Sequence, residues 1–225
     1  GDSLEIGYQS RPKLFDLNIR KNKMLYTKVI EVEERIDVNG NVIKKIDLKK
    51  EKKKILKILN SQNLDIKSVA INLMHAWKHP KHEIQLLELL KEIGFNEASC
   101  GHDISPTIKF IKRGDTTVLN AYLSPTVSRD INNLRHALFS KKDKKLDNGI
   151  LKINYMQSNG GLSSWDRYRA KDSILSGPAG GVIGAITTSQ KSGFNKIISF
   201  DMGGTSTDVA HFNKKVERSF ENNIN

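Results

Sequence analysis

The chain has 225 residues, enough for one large domain or two smaller ones around a buried core, and 37% of them are apolar and 28% charged, a globular balance that excludes disorder and a fibrous repeat. No apolar run approaches the ~20 residues of a membrane-spanning helix and no signal-peptide pattern opens the sequence, so the chain reads as soluble and cytoplasmic with no membrane partner. The net charge of +12 raises nucleic acid as a partner, but the excess sits in residues 44–57 (KKIDLKKEKKKILK) and 141–145 (KKDKK), interleaved with Ile and Leu or placed in a turn. Such runs are solvated faces, and with no recognised binding motif no nucleic-acid partner is expected.

Taken in order, residues 24–47 alternate apolar and polar around Asn39-Gly40, a dipeptide suited to a tight turn, and predict a hairpin or two meandering strands. A Lys-rich amphipathic helix follows over 48–60. Residues 68–75 (SVAINLMH) read as a buried strand. Residues 80–93 predict a helix with Ile84, Leu87, Leu90 and Ile93 on its buried face, opened by Pro80 and closed by Gly94. A short strand over 97–100 would complete a strand–helix–strand crossover. Cys100, the one cysteine, cannot form an intrachain disulfide and, with no base beside it in sequence, reads as a structural thiol. His75, His79 and His82 are close in sequence but straddle a strand end and a helix start, without a metal-ligand spacing. Residues 115–139 predict a helix broken or restarted at Ser124-Pro125, because Pro disfavours helical geometry before it and removes a backbone donor. Asn120 and Tyr122, two apart on that helix, do not share a face. Then come a strand within 146–157, a turn at 158–161, a helix over 176–190 lined with small residues, and a compact strand over 196–200. A division is expected near residue 115.

The most informative segment is residues 197–209, IISFDMGGTSTDV. A buried strand ends at Asp201, turns through Gly203 and Gly204, and continues into Thr205, Ser206, Thr207 and Asp208. Glycines let consecutive backbone N–H groups converge on an anion without a Cβ in the way. The three hydroxyls add donors for phosphate oxygens, and Asp201, with Asp208, offers carboxylates to Mg²⁺, which takes few protein ligands and shares its other positions with phosphates and water. No Lys lies inside the loop, so this is not a Walker loop. The alternative is a structural hairpin with two solvated carboxylates at the strand ends. In the segment 176–185 (SGPAGGVIGA), Ser176 and Gly177 could cap a helix whose N–H groups receive a phosphate, or Gly180, Gly181, Gly184 and Ala185 could let the helix pack closely on the sheet.

The loop resembles the phosphate loops of the actin-like ATPase superfamily. Together, SGPAGGVIGA and FDMGGTSTDV resemble the hydantoinase A/oxoprolinase family, and so in order do residues 11–19 (RPKLFDLNI), Leu25-Tyr26, 31–35 (EVEER), Arg113-Gly114, 120–125 (NAYLSP) and 158–162 (SNGGL). One departure is Asp115, where the oxoprolinase branch often has His. The resemblance spans nearly the whole chain. It implies an α/β, actin-like (ribonuclease H-like) fold present in part, with two incomplete lobes: residues 1–115 ending the family's N-terminal domain and 116–225 beginning the next. It implies ATP and Mg²⁺ as cofactors and a small lactam as substrate, with ATP-dependent opening of 5-oxo-L-proline to L-glutamate. An unstrained lactam is a poor electrophile, and phosphorylation of its amide oxygen would let water attack. By the same resemblance Gly203, Gly204, Thr205, Ser206 and Thr207 hold the nucleotide, Asp201 holds the metal, and Asp208 is the catalytic residue. The implied partners are further copies of the chain or a hydantoinase B-like domain. A second phosphate loop would lie elsewhere in the parent protein, so the chain alone is expected to be inactive. The alternatives are an N-methylhydantoinase or acetone carboxylase-like subunit and a non-catalytic scaffold remnant.

Overall fold

The computed structural model describes residues 15, 17–18, 24–62, 65–138, 153–204 and 206–216. Thr205 and residues 141–145 lie outside them, as do most of residues 11–19. Two compact units divide between Asp130 and Ile131.

In the first unit the expected turn at Asn39-Gly40 joins two short antiparallel strands, β1 (Arg35–Ile36) and β2 (Val42–Lys44). The Asp37 carboxylate accepts from the backbone N–H groups of Asn39 and Asn41 at 2.9 and 2.8 Å, while Gly40 takes φ 95°, a conformation that favours glycine. Helix α1 (Leu48–Gln62) starts where Asp47 Oδ1 accepts the N–H of Lys50 at 3.0 Å, an N-cap bond. Its lysine run is partly paired: Lys44 and Lys50 each reach Glu33 at 3.0 Å, and Lys52 reaches Glu92 at 3.4 Å.

Strand β3 (Val69–Ile71) is shorter than residues 68–75 predict, because the chain turns from Met74 onward. Helix α2 (Lys81–Ile93) carries it back to β4 (Ala98–Cys100), parallel to β3 with Val69 opposite Ala98 and Ile71 opposite Cys100. The expected crossover is therefore present. Gly94 closes α2 with φ 109°, its N–H bonded to the Leu90 and Lys91 carbonyls. The buried face of α2 differs from the expected one: Leu86, Leu89 and Leu90 enter the core with His82 and Glu83, and Ile84 is exposed. Two polar residues hold core positions because each has a partner there. His82 Nδ1 meets Glu34 Oε2 at 2.6 Å, and Glu83 binds backbone and His102. Ile46, Ile55, Ile71 and Cys100 complete the cluster.

After a short helix α3 (Gly101–Ile104), helix α4 runs unbroken over Phe110–Leu138 with Pro125 inside it. This corrects the expected break at Ser124-Pro125. Proline removes only its own bond to the Ala121 carbonyl, at about 3 kcal/mol. Packing on both sides opposes that cost: Arg113, Thr117, Asn120 and Ala121 are buried before it and Ile131 after it. Ser124 Oγ also donates to the Asn120 carbonyl at 2.8 Å. Asn120 is buried and Tyr122 exposed, as their spacing requires.

In the second unit β5 (Asn154–Met156) and β6 (Leu162–Ser164) form an antiparallel hairpin around the turn expected at 158–161. Of the strand sought in 146–157, residues 146–152 lie outside the described set. A 3-10 turn (Ala170–Ser173) leads into helix α5 (Ser176–Lys191), which packs on β7 (Lys196–Met202) and β8 (Thr207–Asn213). Tyr155 and Tyr168 stack at 5.3 Å, and the Arg135 guanidinium lies 3.6 Å over the Trp165 ring. The architecture is α/β. Among the described residues, no helix is long and apolar enough to cross a membrane.

Candidate functional site

Strands β7 and β8 pair antiparallel over seven positions, from Lys196 opposite Asn213 to Met202 opposite Thr207. This register sets Asp201 directly opposite Asp208 at the mouth of the loop 203–206. Cross-strand partners share a face, and like charges placed opposite each other destabilise a sheet. A carboxylate pair at the open end of a hairpin therefore costs stability unless a cation relieves it.

The position of Asp201 links the two glycine-rich motifs. Its Oδ2 lies 2.9 Å from where a Cβ on Gly181 would stand, so the carboxylate rests against the backbone of α5 in a position that a larger residue there would shift. The Asp201 side chain makes no hydrogen bond or ion pair to the described residues. The Ser206 hydroxyl reaches Asp208 Oδ2 at 3.5 Å. Ser206 and Thr207 are exposed beside it.

The glycines act differently from the expectation. Neither Gly203 nor Gly204 takes a positive φ, and the Gly203 N–H donates to the Ser206 carbonyl at 2.9 Å, closing the turn instead of facing an anion. Gly204 gives clearance: a Cβ there would meet nothing within 4 Å. Two carboxylates, exposed hydroxyls and an open turn are hard oxygen donors with room beside them, a set that fits Mg²⁺ and phosphate.

For α5, of the two alternatives the cap at Ser176-Gly177 does not form. Leu175 occupies the N-cap position without a side-chain bond, and the Ser176 hydroxyl turns back to the Ser173 carbonyl at 2.8 Å. Close packing uses some of the small residues: a Cβ on Gly181 would meet Asp201 and one on Gly180 would stand 3.7 Å from Met156, whereas a Cβ on Gly184 would meet nothing within 4 Å.

In the first unit the structure assembles a polar cluster that sequence spacing does not reveal. Glu83 on α2, fully buried, accepts from the Leu73 N–H at 2.8 Å through Oε1, and from the His102 N–H at 3.0 Å and His102 Nδ1 at 2.7 Å through Oε2. Buried Arg113 gives Nε to Asn72 Oδ1 at 2.9 Å and Nη2 to the Leu73 and Met74 carbonyls at 2.7 and 3.0 Å. Burial pulls its guanidinium downward and Glu83 opposes the shift. Cys100 ends β4 beside Glu83, and burial, reinforced by Glu83 and Asp103, pushes its thiol up to about 12. Asp115, the departure from the family pattern, is exposed on α4. His79 is structural: its Nε2 meets the Val38 carbonyl at 3.1 Å and its ring stands against Gly40.

A profile of the hydantoinase/oxoprolinase family matches residues 113–225, and a profile of the hydantoinase/oxoprolinase N-terminal region matches residues 1–94. A 5-oxoprolinase of Dictyostelium discoideum is 36% identical over 99% of the chain, which covers 20% of that protein. Among solved structures, a nucleotide-free acetone carboxylase described as performing ATP-dependent acetone carboxylation is similar at TM-score 0.66 and 26% identity, over 81% of this chain and 25% of that one. An ATP-dependent caprolactamase from Pseudomonas jessenii also reaches TM-score 0.66 at 25% identity, over 93% of this chain and 30% of the other. The chain thus spans about a fifth of the length of the curated relative. On these matches the chain belongs to the hydantoinase/oxoprolinase family.

Proposed function

We propose that the chain is part of an ATP-dependent 5-oxoprolinase, supplying one of the loops that hold the nucleotide while the lactam is opened to glutamate. The observation that carries this is the Asp201/Asp208 pair, set opposite each other across an exposed turn, with the Asp201 side chain bonded to none of the described residues and seated against Gly181. The chain-wide similarity to a 5-oxoprolinase supports the substrate. The strand–loop–strand form supports the reading as part of an actin-like fold, with residues 1–115 and 116–225 belonging to successive lobes.

Bound Mg²⁺–ATP supplies an activated phosphoryl group and neutralises the charge that develops as it transfers. In this chain Asp201 would hold the metal. Asp208, tethered by the Ser206 hydroxyl, would orient the metal, a water or the substrate. Ser206, Thr207 and Thr205 donate hydroxyls to phosphate oxygens, and Gly204 lets them approach. Asp201 and Asp208, paired at the turn, gain stability on binding because the cation relieves their repulsion. The rest of the active protein, whether a longer chain, further copies or a hydantoinase B-like partner, completes the pocket.

The test uses the full-length parent enzyme with ATP and a panel of 5-oxoproline, hydantoins, lactams and acetone with bicarbonate. ATP cleavage coupled to glutamate release is the expected result. Turnover of a hydantoin or of acetone without turnover of 5-oxoproline overturns the substrate assignment, the latter in favour of the carboxylase likeness. A folded protein that cleaves ATP with none of them points to a scaffold role.

A further inference from the structure

We infer that Glu83, Cys100 and His102 form a binding site for a divalent transition metal, zinc by ligand preference, at the carboxyl-terminal end of the parallel β3–β4 pair. It is independent of the phosphate loop.

One ligand atom from each of the three residues lies within 4.8 Å of the other two, and among the described residues this is the group of three that meets this distance. A carboxylate oxygen, a thiol sulfur and an imidazole nitrogen are the donors that tetrahedral zinc takes, and three protein ligands leave a fourth position for water or a ligand. The site is built before any ion arrives. Cys100 is fixed by strand pairing opposite Ile71, and His102 is two residues further on, at the start of α3. Glu83 comes from the buried face of α2 and is anchored by the Leu73 N–H on Oε1, which leaves Oε2 turned to His102. That outer hydrogen bond is the support a metal-binding carboxylate needs.

Charge points the same way. Glu83 is fully buried, yet Arg113 gives its donors to the Asn72 side chain and to backbone carbonyls, and no ion pair joins the two. His102 Nδ1 lies 2.7 Å from the Glu83 carboxylate, and the Arg113 guanidinium acts on that carboxylate through space. A divalent cation bound there adds positive charge beside the buried carboxylate and displaces the Cys100 thiol proton, so binding releases a proton. Cys100 and Glu83 are buried and the His102 side chain is 22% exposed, which leaves an approach on the histidine side. Gly101 keeps the cluster tight: a Cβ there would stand 3.2 Å from Glu83 Oε1 and 2.9 Å from Asn72 Oδ1.

The test titrates the metal-stripped full chain with Co²⁺ and then with Zn²⁺ in competition with a chromogenic chelator, for the wild type, Cys100→Ala and a His75→Ala control. We expect one equivalent of Co²⁺ with a thiolate-to-cobalt charge-transfer band, displaced by Zn²⁺. Cys100→Ala should lose the band and weaken Zn²⁺ binding by about a hundred-fold or more, and His75→Ala should match the wild type. X-ray absorption at the zinc edge of the wild type should show one sulfur ligand, a readout that needs no variant to fold. No charge-transfer band, no sulfur ligand, or equal Zn²⁺ affinity in wild type and Cys100→Ala overturns the site.

Discussion

The two units spend their polar residues in opposite ways. In the first, carboxylates are drawn inside and paired: Glu34 with His82, and Glu83 with His102 and two backbone donors. Its apolar residues close into a core around Ile71, Leu86, Leu89 and Leu90. In the second, the buried apolar residues among those described are Ile131, Ala170, Ile186 and Phe212, while one face of the β7–β8 hairpin stays open, with Ile198 78%, Phe200 63%, Met202 68% and Val209 62% exposed. Its two key carboxylates stand at the surface with little protein to answer them. Polar groups left over at a well-formed strand end can meet a ligand without breaking a contact, whereas those drawn inside must first give up bonds they already make. This contrast is the physical ground on which the proposed nucleotide loop rests.

The sharpest way to break that contrast is Asp201→Asn in the full-length enzyme. It removes the charge offered to the metal while keeping size, so kcat for ATP cleavage should fall about a hundred-fold or more with little change in thermal unfolding. Kinetics across a Mg²⁺ titration, with circular dichroism as the folding check, decide it. A folded variant with wild-type kinetics would make the pair an ordinary hairpin end.

Next in size is the packing contrast. Leu89→Ala in the closed core should cost about 2–5 kcal/mol in urea unfolding, through lost burial and the cavity left behind. Phe200→Ala on the open face of this 225-residue chain should stay within about 0.5 kcal/mol. Similar losses at both positions would mean that the hairpin face is covered in solution. A smaller effect is expected at Gly181→Ala. The new Cβ would meet Asp201 Oδ2 at 2.9 Å, whereas one on Gly204 would meet nothing within 4 Å. Gly181→Ala should therefore raise the KM for ATP several-fold by moving the carboxylate, and Gly204→Ala should act on nucleotide approach with no strain inside the turn. If Gly181→Ala leaves both KM and kcat unchanged, Asp201 does not depend on its seat against α5.

Local signals carried much of this fold. The Asn39-Gly40 turn, the crossover from β3 through α2 to β4 and Gly94 as the close of α2 are written in neighbouring residues, and so is the strand that carries Asp201, although β7 runs on to Met202 and is largely exposed where a buried strand is expected. What stayed hidden depends on partners distant in sequence. Ile84 fits an apolar stripe on α2, yet Glu83 is the residue that goes inside, because Leu73 and His102 supply its hydrogen bonds from ten and nineteen residues away. The buried side of α4 is polar for the same reason, with Asn120 bonded to Ser99 at 2.9 Å and Arg113 to Asn72. No apolar period marks it, so Pro125 looked like a break where packing carries the helix through. At the loop, residue types identified the chemistry, but they could not show that Gly203 spends its N–H on Ser206 or that Gly181 makes room for Asp201.

The smallest expected effect tests how firmly the first unit holds its polar groups. In the metal-free protein the Cys100 thiol is pushed up to about 12, chiefly by burial and then by the negative charges of Glu83 and Asp103. In the unfolded chain a cysteine ionises near ~8.5. Above that pH the unfolded state gives up a proton that the folded state keeps, so it binds fewer protons and stability falls as pH rises; below it the two states agree and the residue adds no slope. By a pH one unit above the unfolded value the loss is about 1 kcal/mol. Lysines and tyrosines titrate in the same range, so the informative quantity is the difference in slope between wild type and Cys100→Ala, measured by urea unfolding from neutral to alkaline pH with a chelator present. The wild type should lose stability faster, and iodoacetamide at mildly alkaline pH should label folded Cys100 far more slowly than the urea-unfolded chain. Parallel slopes together with rapid labelling of the folded protein would show that Cys100 is open to solvent, and the first unit would lose its standing as the closed half of the comparison.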